Sequence, residues 1–172
     1  MAERPVLRLL GADDLVAYKA LRDATLAAHE DAFTSDAETE ARKAPEHYRS
    51  RFGLDRHDAG HFTVGAFVGG RLVGALSCER EPRRKVRHQG HLVGMMVEPG
   101  HRRGGVGREL LLDAIARARQ APDLEILTLS VTAGNPAERL YEALGFVRYG
   151  ALRRALKLGA AYHDKHLMSL DL

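Results

Sequence analysis

The residues of this sequence with the clearest chemistry form a glycine-rich turn flanked by arginines. They are Arg102, Arg103, Gly104, Gly105, Val106, Gly107 and Arg108. The apolar run 92–97 predicts a strand that ends before Pro99, and apolar residues at helical spacing over 106–118 predict a helix after the turn. Glycines let a ligand approach the backbone closely, and the first turn of a helix leaves N–H groups unpaired at its positive end. The turn is therefore a predicted anion site, suited to phosphate.

Three kinds of phosphate-binding loop place a glycine turn between a strand and a helix, and the flanking residues separate them. A nucleoside-triphosphate loop needs Lys and then Ser or Thr after its last glycine, but Arg108 and Glu109 stand there. A dinucleotide loop would read Gly105-x-Gly107 with a small third residue, at the position of the bulky Leu110. The nucleoside-triphosphate loop is therefore excluded, and the dinucleotide loop stays open.

The third pattern is Arg102-x-x-Gly105-x-Gly107 behind the stretch MMVEP at 95–99. It resembles the pyrophosphate loop of the GNAT superfamily of N-acetyltransferases, which bind acetyl-coenzyme A. A second stretch, NPAERLYEALGF at 135–146, resembles another block of the same superfamily and follows in the right order. The resemblance spans residues 90–147, and it implies acetyl-CoA as the cosubstrate.

The resemblance also implies how acetyl-CoA would be held. In the superfamily the strand before the loop separates from its neighbour, and its free amides and carbonyls hold the pantetheine arm. Here that role falls to Met95, Met96 and Val97, with the N–H of Met95 or Met96 facing the acetyl oxygen. Gly94 would help to form a bulge. From the side chains alone, the two methionines would be ordinary core residues. The cofactor-binding residues implied for the turn are Arg102, Arg103, Gly104, Gly105, Val106, Gly107 and Arg108.

Two residues of the second block carry implied roles. Tyr141 occupies a position that resembles the general acid of the superfamily, and a phenol with a pKa near ~10 can donate to a departing thiolate. The alternative is a core tyrosine near a helix end. Asn135 resembles the amide that binds pantetheine, but it stands six residues before Tyr141 where most relatives have seven. With Pro136 behind it, a helix cap is the rival role of Asn135.

The sequence does not identify a base that would deprotonate the acceptor amine. Glu79 ends a predicted strand and could reach the cleft directly or through water. His91 begins the strand that would carry the thioester. For both residues a solvated position at a strand end is the alternative.

The nine histidines form no convincing metal site. The pairs His88/His91 and His163/His166 are three residues apart on predicted strands, so alternation sends their members to opposite faces. The remaining pair, 57 and 61, flanks a loop without further ligands. We expect no metal.

The order of predicted elements indicates an α/β fold. Strands are predicted over 6–10, 61–68, 72–79, 88–97, 124–131, 146–150 and 161–170, and helices over 13–29, 37–52, 106–118 and 137–144. Asp13 is the predicted cap of the first helix, Pro45 is expected to bend or restart the second, and Gly69-Gly70 predicts an antiparallel hairpin. With the resemblance, these elements predict one domain over 1–172 with a mixed, largely antiparallel sheet of about seven strands and flanking helices.

Composition argues against several classes of protein. The 172 residues hold 26 Lys and Arg against 23 Asp and Glu, a nearly balanced surface, so we expect no nucleic-acid partner. The basic run 80–88 predicts a solvated hairpin turn, with an electrostatic collar for phosphate as the alternative. A single cysteine, Cys78, excludes an internal disulfide and fits a core position. No apolar run approaches the ~20 residues that cross a bilayer. We expect a cytoplasmic protein without membrane contact, for which assembly as a homodimer stays open.

These observations predict an N-acetyltransferase that moves an acetyl group from acetyl-CoA to a primary amine. The resemblance implies direct attack within a ternary complex, and it implies that residues 29–60, 80–89 and 152–163 select a small-molecule or peptide acceptor. The acceptor itself is not readable: a small-molecule amine, a peptide N-terminus and a protein lysine all stay open. A non-catalytic acyl-CoA-binding module is the alternative function, and nucleic-acid binding through residues 80–88 is a third class.

Overall fold

The computed structural model describes residues 4–56 and 58–172, with the backbone alone at Arg103. The strands are β1 Val6–Leu9, β2 Phe62–Val68, β3 Arg71–Arg80, β4 Gln89–Val97, β5 Ile126–Thr132, β6 Val147–Leu158 and β7 Ala161–Asp171. The α-helices are α1 Leu15–Ala28, α2 Ala37–Ala41, α3 Val106–Gln120 and α4 Ala137–Ala143. Short 3₁₀ turns precede α1 and α3 and follow α1 and α2.

The seven strands form one sheet in the order β1-β2-β3-β4-β5-β7-β6. Every neighbouring pair is antiparallel except β4 and β5, which run parallel because α3 carries the chain back between them. The Gly69-Gly70 turn joins β2 to β3 with positive φ at both glycines, as the predicted hairpin requires. The predicted mixed, largely antiparallel sheet is confirmed.

Helices cover the sheet on both faces. On one face α3 buries Leu110, Leu111 and Ala114 against β2, β3 and β5. On the other face α1 buries Tyr18 together with Phe52 and the Met96 side chain of β4. Alternate residues of β3 and β4 therefore serve two separate cores, which explains why both strands read as continuous apolar runs.

Two local predictions near the N-terminus are wrong in detail. Asp14 rather than Asp13 is the N-cap of α1, and its carboxylate accepts the Gly11 N–H at 2.8 Å and pairs with Arg8 at 2.7 Å instead of bonding the first turn of the helix. The predicted helix over 37–52 is two short pieces, α2 and a 3₁₀ turn over Pro45–Tyr48. The restart at Pro45 is confirmed, because proline lacks the N–H that would continue α2.

The last hairpin is longer than predicted. β6 was expected over 146–150 but extends to Leu158, paired with β7 along its length. The pairing is irregular between Leu152 and Leu156, where Arg154 has φ +54° and its N–H donates to Asp164 at 2.7 Å. This irregularity breaks the two-residue alternation, so the second half of β6 does not read as a strand.

The basic run forms the turn between β3 and β4, as predicted. Its first residue, Arg80, is buried, and its guanidinium donates to the backbone oxygens of Arg87 at 2.6 Å and Ala59 at 2.9 Å. Arg80 therefore holds the turn in place. Cys78 is fully buried, and burial raises the pKa of its thiol to about 12. Among the described residues, no helix is long and apolar enough to cross a bilayer.

Candidate active site

A cleft of about 790 Å³ opens where β4 and β5 separate. The two strands pair only from Gln89 to His91, opposite Ile126 to Thr128. Past this point neither strand hydrogen-bonds the other, so the backbone of 92–97 faces the cleft along one edge. The separation that the resemblance implied is present.

The cleft crosses the sheet and has one wall on each face. We call the side lined by Arg102, Gly107, Leu140 and Tyr141 the α3 wall. We call the side lined by Arg22, Thr25, Ser35 and Arg51 the α1 wall. A ligand on one wall can therefore meet a ligand on the other wall through the gap between β4 and β5.

A bulge in β4 marks the centre of the cleft. Val93 pairs with Ser77 and Met96 with Ala75, so Gly94 and Met95 together oppose the single residue Leu76. Gly94 has φ +63°, which glycine adopts without strain. The bulge interrupts the regular ladder at Met95, as the predicted use of its N–H requires.

The glycine turn follows β4 directly. A 3₁₀ turn over Pro99–Gly104 leads to Gly105, whose φ of +81° starts α3. The first helical bond runs from the Glu109 N–H to the Gly105 oxygen at 3.0 Å. The N–H groups of Val106, Gly107 and Arg108 precede that bond, so they form the predicted set of free first-turn donors.

Space around the turn also suits a ligand. A β-carbon on Gly104 or Gly105 would meet no atom within 4 Å, so both positions are open. A β-carbon on Gly107 would lie 2.8 Å from Met95 Cε, so the chain packs closely there. The Arg102 side chain is exposed and donates through Nε to the Val97 oxygen at 3.0 Å, while the Arg103 side chain lies outside the described residues.

Tyr141 brings its hydroxyl group to the α3 wall. The side chain is buried in α4, with its ring 5.9 Å from that of Phe146. Its hydroxyl donates to the Met95 sulfur at 3.3 Å, beside the bulge. Burial raises the pKa of Tyr141 to about 12, so the phenol keeps its proton at neutral pH.

Residues 20–146 match the family model described as the acetyltransferase (GNAT) family. The chain belongs to this family. It is 34% identical over 110 residues to the N-alpha-acetyltransferase RimI of Mycobacterium tuberculosis. The aligned region covers 63% of this chain and 65% of that protein. The chain spans between 23% and 65% of the length of the curated relatives that it matches.

Solved structures agree with this assignment. A GNAT-family acetyltransferase from Streptococcus pneumoniae has a TM-score of 0.87 at 25% identity, over 98% of this chain and 99% of that one. An acetyltransferase from Salmonella typhimurium, solved with acetyl-CoA, has a TM-score of 0.80 at 21% identity, over 99% of this chain and 95% of that one. The second likeness shows the GNAT fold alone.

In this GNAT chain Asn135 is engaged as a helix cap. Its Oδ1 accepts the Ala137 N–H at 2.9 Å, and its backbone oxygen accepts the Glu138 N–H at 3.0 Å. Asn135 also lines the cleft. Because capping uses only its acceptor atoms, the amide nitrogen is free to donate, and the predicted contact with pantetheine stays a prediction.

The two candidate bases do not line the cleft. Glu79 accepts the Arg51 Nε at 3.0 Å, so Arg51 stands between it and the cleft. His91 lies where β4 and β5 are still paired, bonded through Nδ1 to the Thr128 hydroxyl and 3.2 Å from Glu81 through Nε2. A role for Glu79 as base therefore requires water, and it stays a prediction.

Sequence reasoning singled out none of the charged residues on the α1 side of the cleft. Arg22 comes from α1 and Arg51 from the turns after Tyr48, while Lys165 and His163 come from β7. The predicted acceptor segments 29–60 and 152–163 each contribute to the cleft, but no residue of 80–89 does. The turn over 81–88 lies at the paired end of β4, so its predicted role in acceptor selection has no support. Residues 22, 51, 163 and 165 are far apart in the sequence, so no local sequence pattern predicts that they line the same cleft.

The structure also bears on metals. Within residues 4–56 and 58–172, no three His, Cys, Asp or Glu side chains come close enough together to hold a metal ion. His163 and His166 lie on opposite sides of β7, since His163 lines the cleft while His166 pairs with Glu138 at 2.5 Å. His57 lies outside the described residues.

Proposed function

We propose that this chain acts as one domain that transfers an acetyl group from acetyl-CoA to a primary amine by direct attack in a ternary complex. One observation carries the proposal. The buried Tyr141 hydroxyl lies 3.3 Å from the side chain of Met95, at the β4 bulge, in the cleft that begins at the glycine turn. An acid, a free strand edge and an anion site thus share one cleft.

The residues of the α3 wall fit acetyl-CoA. A diphosphate needs several donors in open space, and the first-turn amides beside Gly104 and Gly105 offer them, with Arg102 and Arg108 exposed nearby. A pantetheine arm needs an unpaired strand edge, and residues 92–97 supply one. Arg103 through its backbone and Asn135 through its amide nitrogen complete the set that we propose.

Acetyl-CoA supplies an acyl group already activated as a thioester. The Met95 N–H, released from the regular ladder by the bulge, donates to the carbonyl oxygen as negative charge develops there. Such a fixed donor is worth about 3 to 4 kcal/mol of the barrier. Tyr141 donates its proton to the departing sulfur, and its pKa near 12 keeps it in the donating form.

The acceptor amine must be neutral before it attacks. In this proposal Glu79 receives the proton through water beside Arg51. The relatives are named for acetylation of α-amines, so we propose an α-amine as the acceptor class. Small molecules and peptide N-termini both offer this group.

Thiol release from acetyl-CoA in the presence of an amine panel tests the proposal. Tyr141→Phe should lower kcat by about 100-fold or more while the Kd for acetyl-CoA changes little. Tyr149→Phe is the matched control, since Tyr149 is exposed on β6. Tight binding of acetyl-CoA without thiol release for any amine would instead identify an acyl-CoA-binding module.

A further inference from the structure

Two guanidinium groups and a tyrosine hydroxyl converge on the α1 wall beside the bulge, where Arg51 Nη1 donates to Tyr18 Oη at 3.5 Å. A β-carbon placed on Gly94 would lie 3.5 Å from Arg51 Nη1, 3.6 Å from Tyr18 Oη and 3.8 Å from Arg22 Nη1. Tyr18 and Arg22 are buried, at 0% and 4% exposure. Because residue 94 has no side chain, the space in front of these donors is left open.

Each guanidinium group is anchored by a carboxylate. Arg22 donates through Nε to Glu40 at 2.8 Å and through Nη2 to Ser35 at 3.1 Å. Arg51 donates through Nε to Glu79 at 3.0 Å. Within the described part of the chain, Arg22 Nη1 and Arg51 Nη2 have no hydrogen-bond partner, so the carboxylates hold the arginines without using all their donors.

The remaining charges of this part of the cleft are also mainly positive. Lys165 lines it and donates to the Thr34 hydroxyl at 2.5 Å, and burial lowers the pKa of this lysine. Asp31 is the acidic side chain among the described lining residues. A cationic wall with free planar donors fits an anionic ligand, and arginine matches a carboxylate in particular.

The geometry points to a carboxylate subsite formed by Arg22 and Arg51, which selects acceptors that carry a carboxylate close to the reacting amine. This inference rests on the proposed acetyl transfer. Gly94 directly precedes Met95, whose N–H is the proposed donor to the thioester carbonyl, so the anion would lie near the nitrogen. A free α-amino acid, or a peptide whose first residue is acidic, has this arrangement.

Matched acceptor pairs test the subsite. One arm compares free amino acids with their amides, and the other compares C-terminally amidated peptides that begin with Asp and with Asn. A carboxylate bound by one or two charged hydrogen bonds should raise kcat/KM by about 10- to 100-fold over its neutral partner in at least one arm. The arm that shows the preference identifies the source of the carboxylate.

Arg51→Ala should reduce that preference to about twofold or less, mainly through KM, and Arg51→Lys should restore part of it. Arg49→Ala is the matched control, because Arg49 lies two residues away in an exposed pair with Asp55. Binding gives a second readout: with CoA present, the acetylated acid should raise the Tm of the wild type more than its amide does, and Arg51→Ala should abolish the difference.

Two results would overturn the subsite. If neutral acceptors react as fast as the acids, the proposed carboxylate subsite is wrong, although acetyl transfer itself is not contradicted. A preference for acids that is the same in Arg51→Ala and in the wild type would assign it to other residues. Absence of thiol release with every acceptor, by contrast, would contradict the proposed acetyl transfer itself.

Discussion

The two walls of the cleft recognise ligands by different means. The α3 wall offers mainly backbone groups: the open edge of β4, the amides before Glu109 and the bulge at Met95. The α1 wall offers side chains, with Arg22 and Arg51 held by Glu40 and Glu79. Backbone recognition suits a cosubstrate that is the same in every reaction cycle. Recognition by side chains suits a variable acceptor, because substitution of those side chains alone can change which acceptor binds.

The largest expected effect is a loss of acetyl-CoA binding when the α3 wall is altered at Gly107. Gly107→Val places a branched side chain where a β-carbon already lies 2.8 Å from Met95 Cε and 3.7 Å from Leu140 Cδ2. We expect the Kd for acetyl-CoA to rise about 100-fold, as for the loss of two charged hydrogen bonds. Calorimetric titration measures this change.

Gly100→Val is the control for that substitution. A β-carbon on Gly100 meets no atom within 4 Å, and the residue lies in the same turn. Its Kd should stay within about twofold of the wild type. Equal losses in both variants would show that the turn tolerates no side chain at all, and close packing at Gly107 would then explain nothing.

The α3 wall was predictable because backbone recognition leaves a mark in the sequence. A bulge needs a residue such as Gly94 that accepts positive φ, the strand needs Pro99 to end it, and the turn needs Gly105 and Gly107. These requirements fall within fourteen consecutive residues, so their spacing is fixed. Tyr141 was predicted from its place in a second block.

The α1 wall could not be predicted, because contacts distant in the chain create it. Arg22 becomes part of the cleft only because Glu40, eighteen residues later, holds it there. Arg51 lies in turns without regular periodicity, beyond the 3₁₀ turn over Pro45–Tyr48 that the predicted restart at Pro45 begins. The place of Glu79 at a strand end makes it a candidate, whereas its partner Arg51 has no sequence signal.

Glu40 anchors the α1 wall through its ion pair with Arg22. Burial alone would raise the pKa of Glu40, but hydrogen bonds from Lys43, Tyr48 and Arg22 lower it to about 2. The carboxylate therefore stabilises the fold above the unfolded pKa near 4.5, and this contribution is lost as pH falls through about 2. Glu40→Gln should cost about 2 to 3 kcal/mol of unfolding free energy at pH 7.

Urea unfolding at pH 7 and pH 3 measures this cost. The difference between the wild type and Glu40→Gln should shrink at pH 3, inside the window between the two pKa values. Glu38→Gln is the control, since Glu38 lies on the same helix α2 in an exposed pair with Arg42. Its cost should stay below about 0.5 kcal/mol at either pH. A pH-independent loss in Glu40→Gln would mean that shape rather than charge holds Arg22.

Glu79 has two candidate roles: it either positions Arg51 or acts as the general base. If Glu79 mainly positions Arg51, Glu79→Gln should lower kcat/KM less than about tenfold and leave its pH profile unchanged. A general base would instead contribute about 100-fold or more, and its removal would change the acid limb of the profile. Steady-state rates from pH 6 to 9 decide between these roles, with Glu98→Gln, which loses the surface pair with Arg71, as the control.

The smallest expected effect is seen at high pH, where the rate should show no decrease up to pH 10. A phenol with an ordinary pKa near ~10 would be half ionised at pH 10 and would lose half its donating form there. With the pKa of Tyr141 raised to about 12 by burial, only about 1% is ionised at that pH. Rates should therefore rise as the acceptor amine loses its proton and stay level to pH 10.

The same raised pKa has a consequence for stability, which provides an independent measurement. Because the folded pKa exceeds the unfolded value, the contribution of Tyr141 is complete below about pH 10 and is lost as pH rises towards 12. Wild type and Tyr141→Phe should therefore differ by a constant amount between pH 7 and 9, and that difference should fall above pH 10. A descending rate limb centred near pH 10 would place the phenol in contact with water, and the α3 wall would then lack the dry, fixed acid that distinguishes it from the α1 wall.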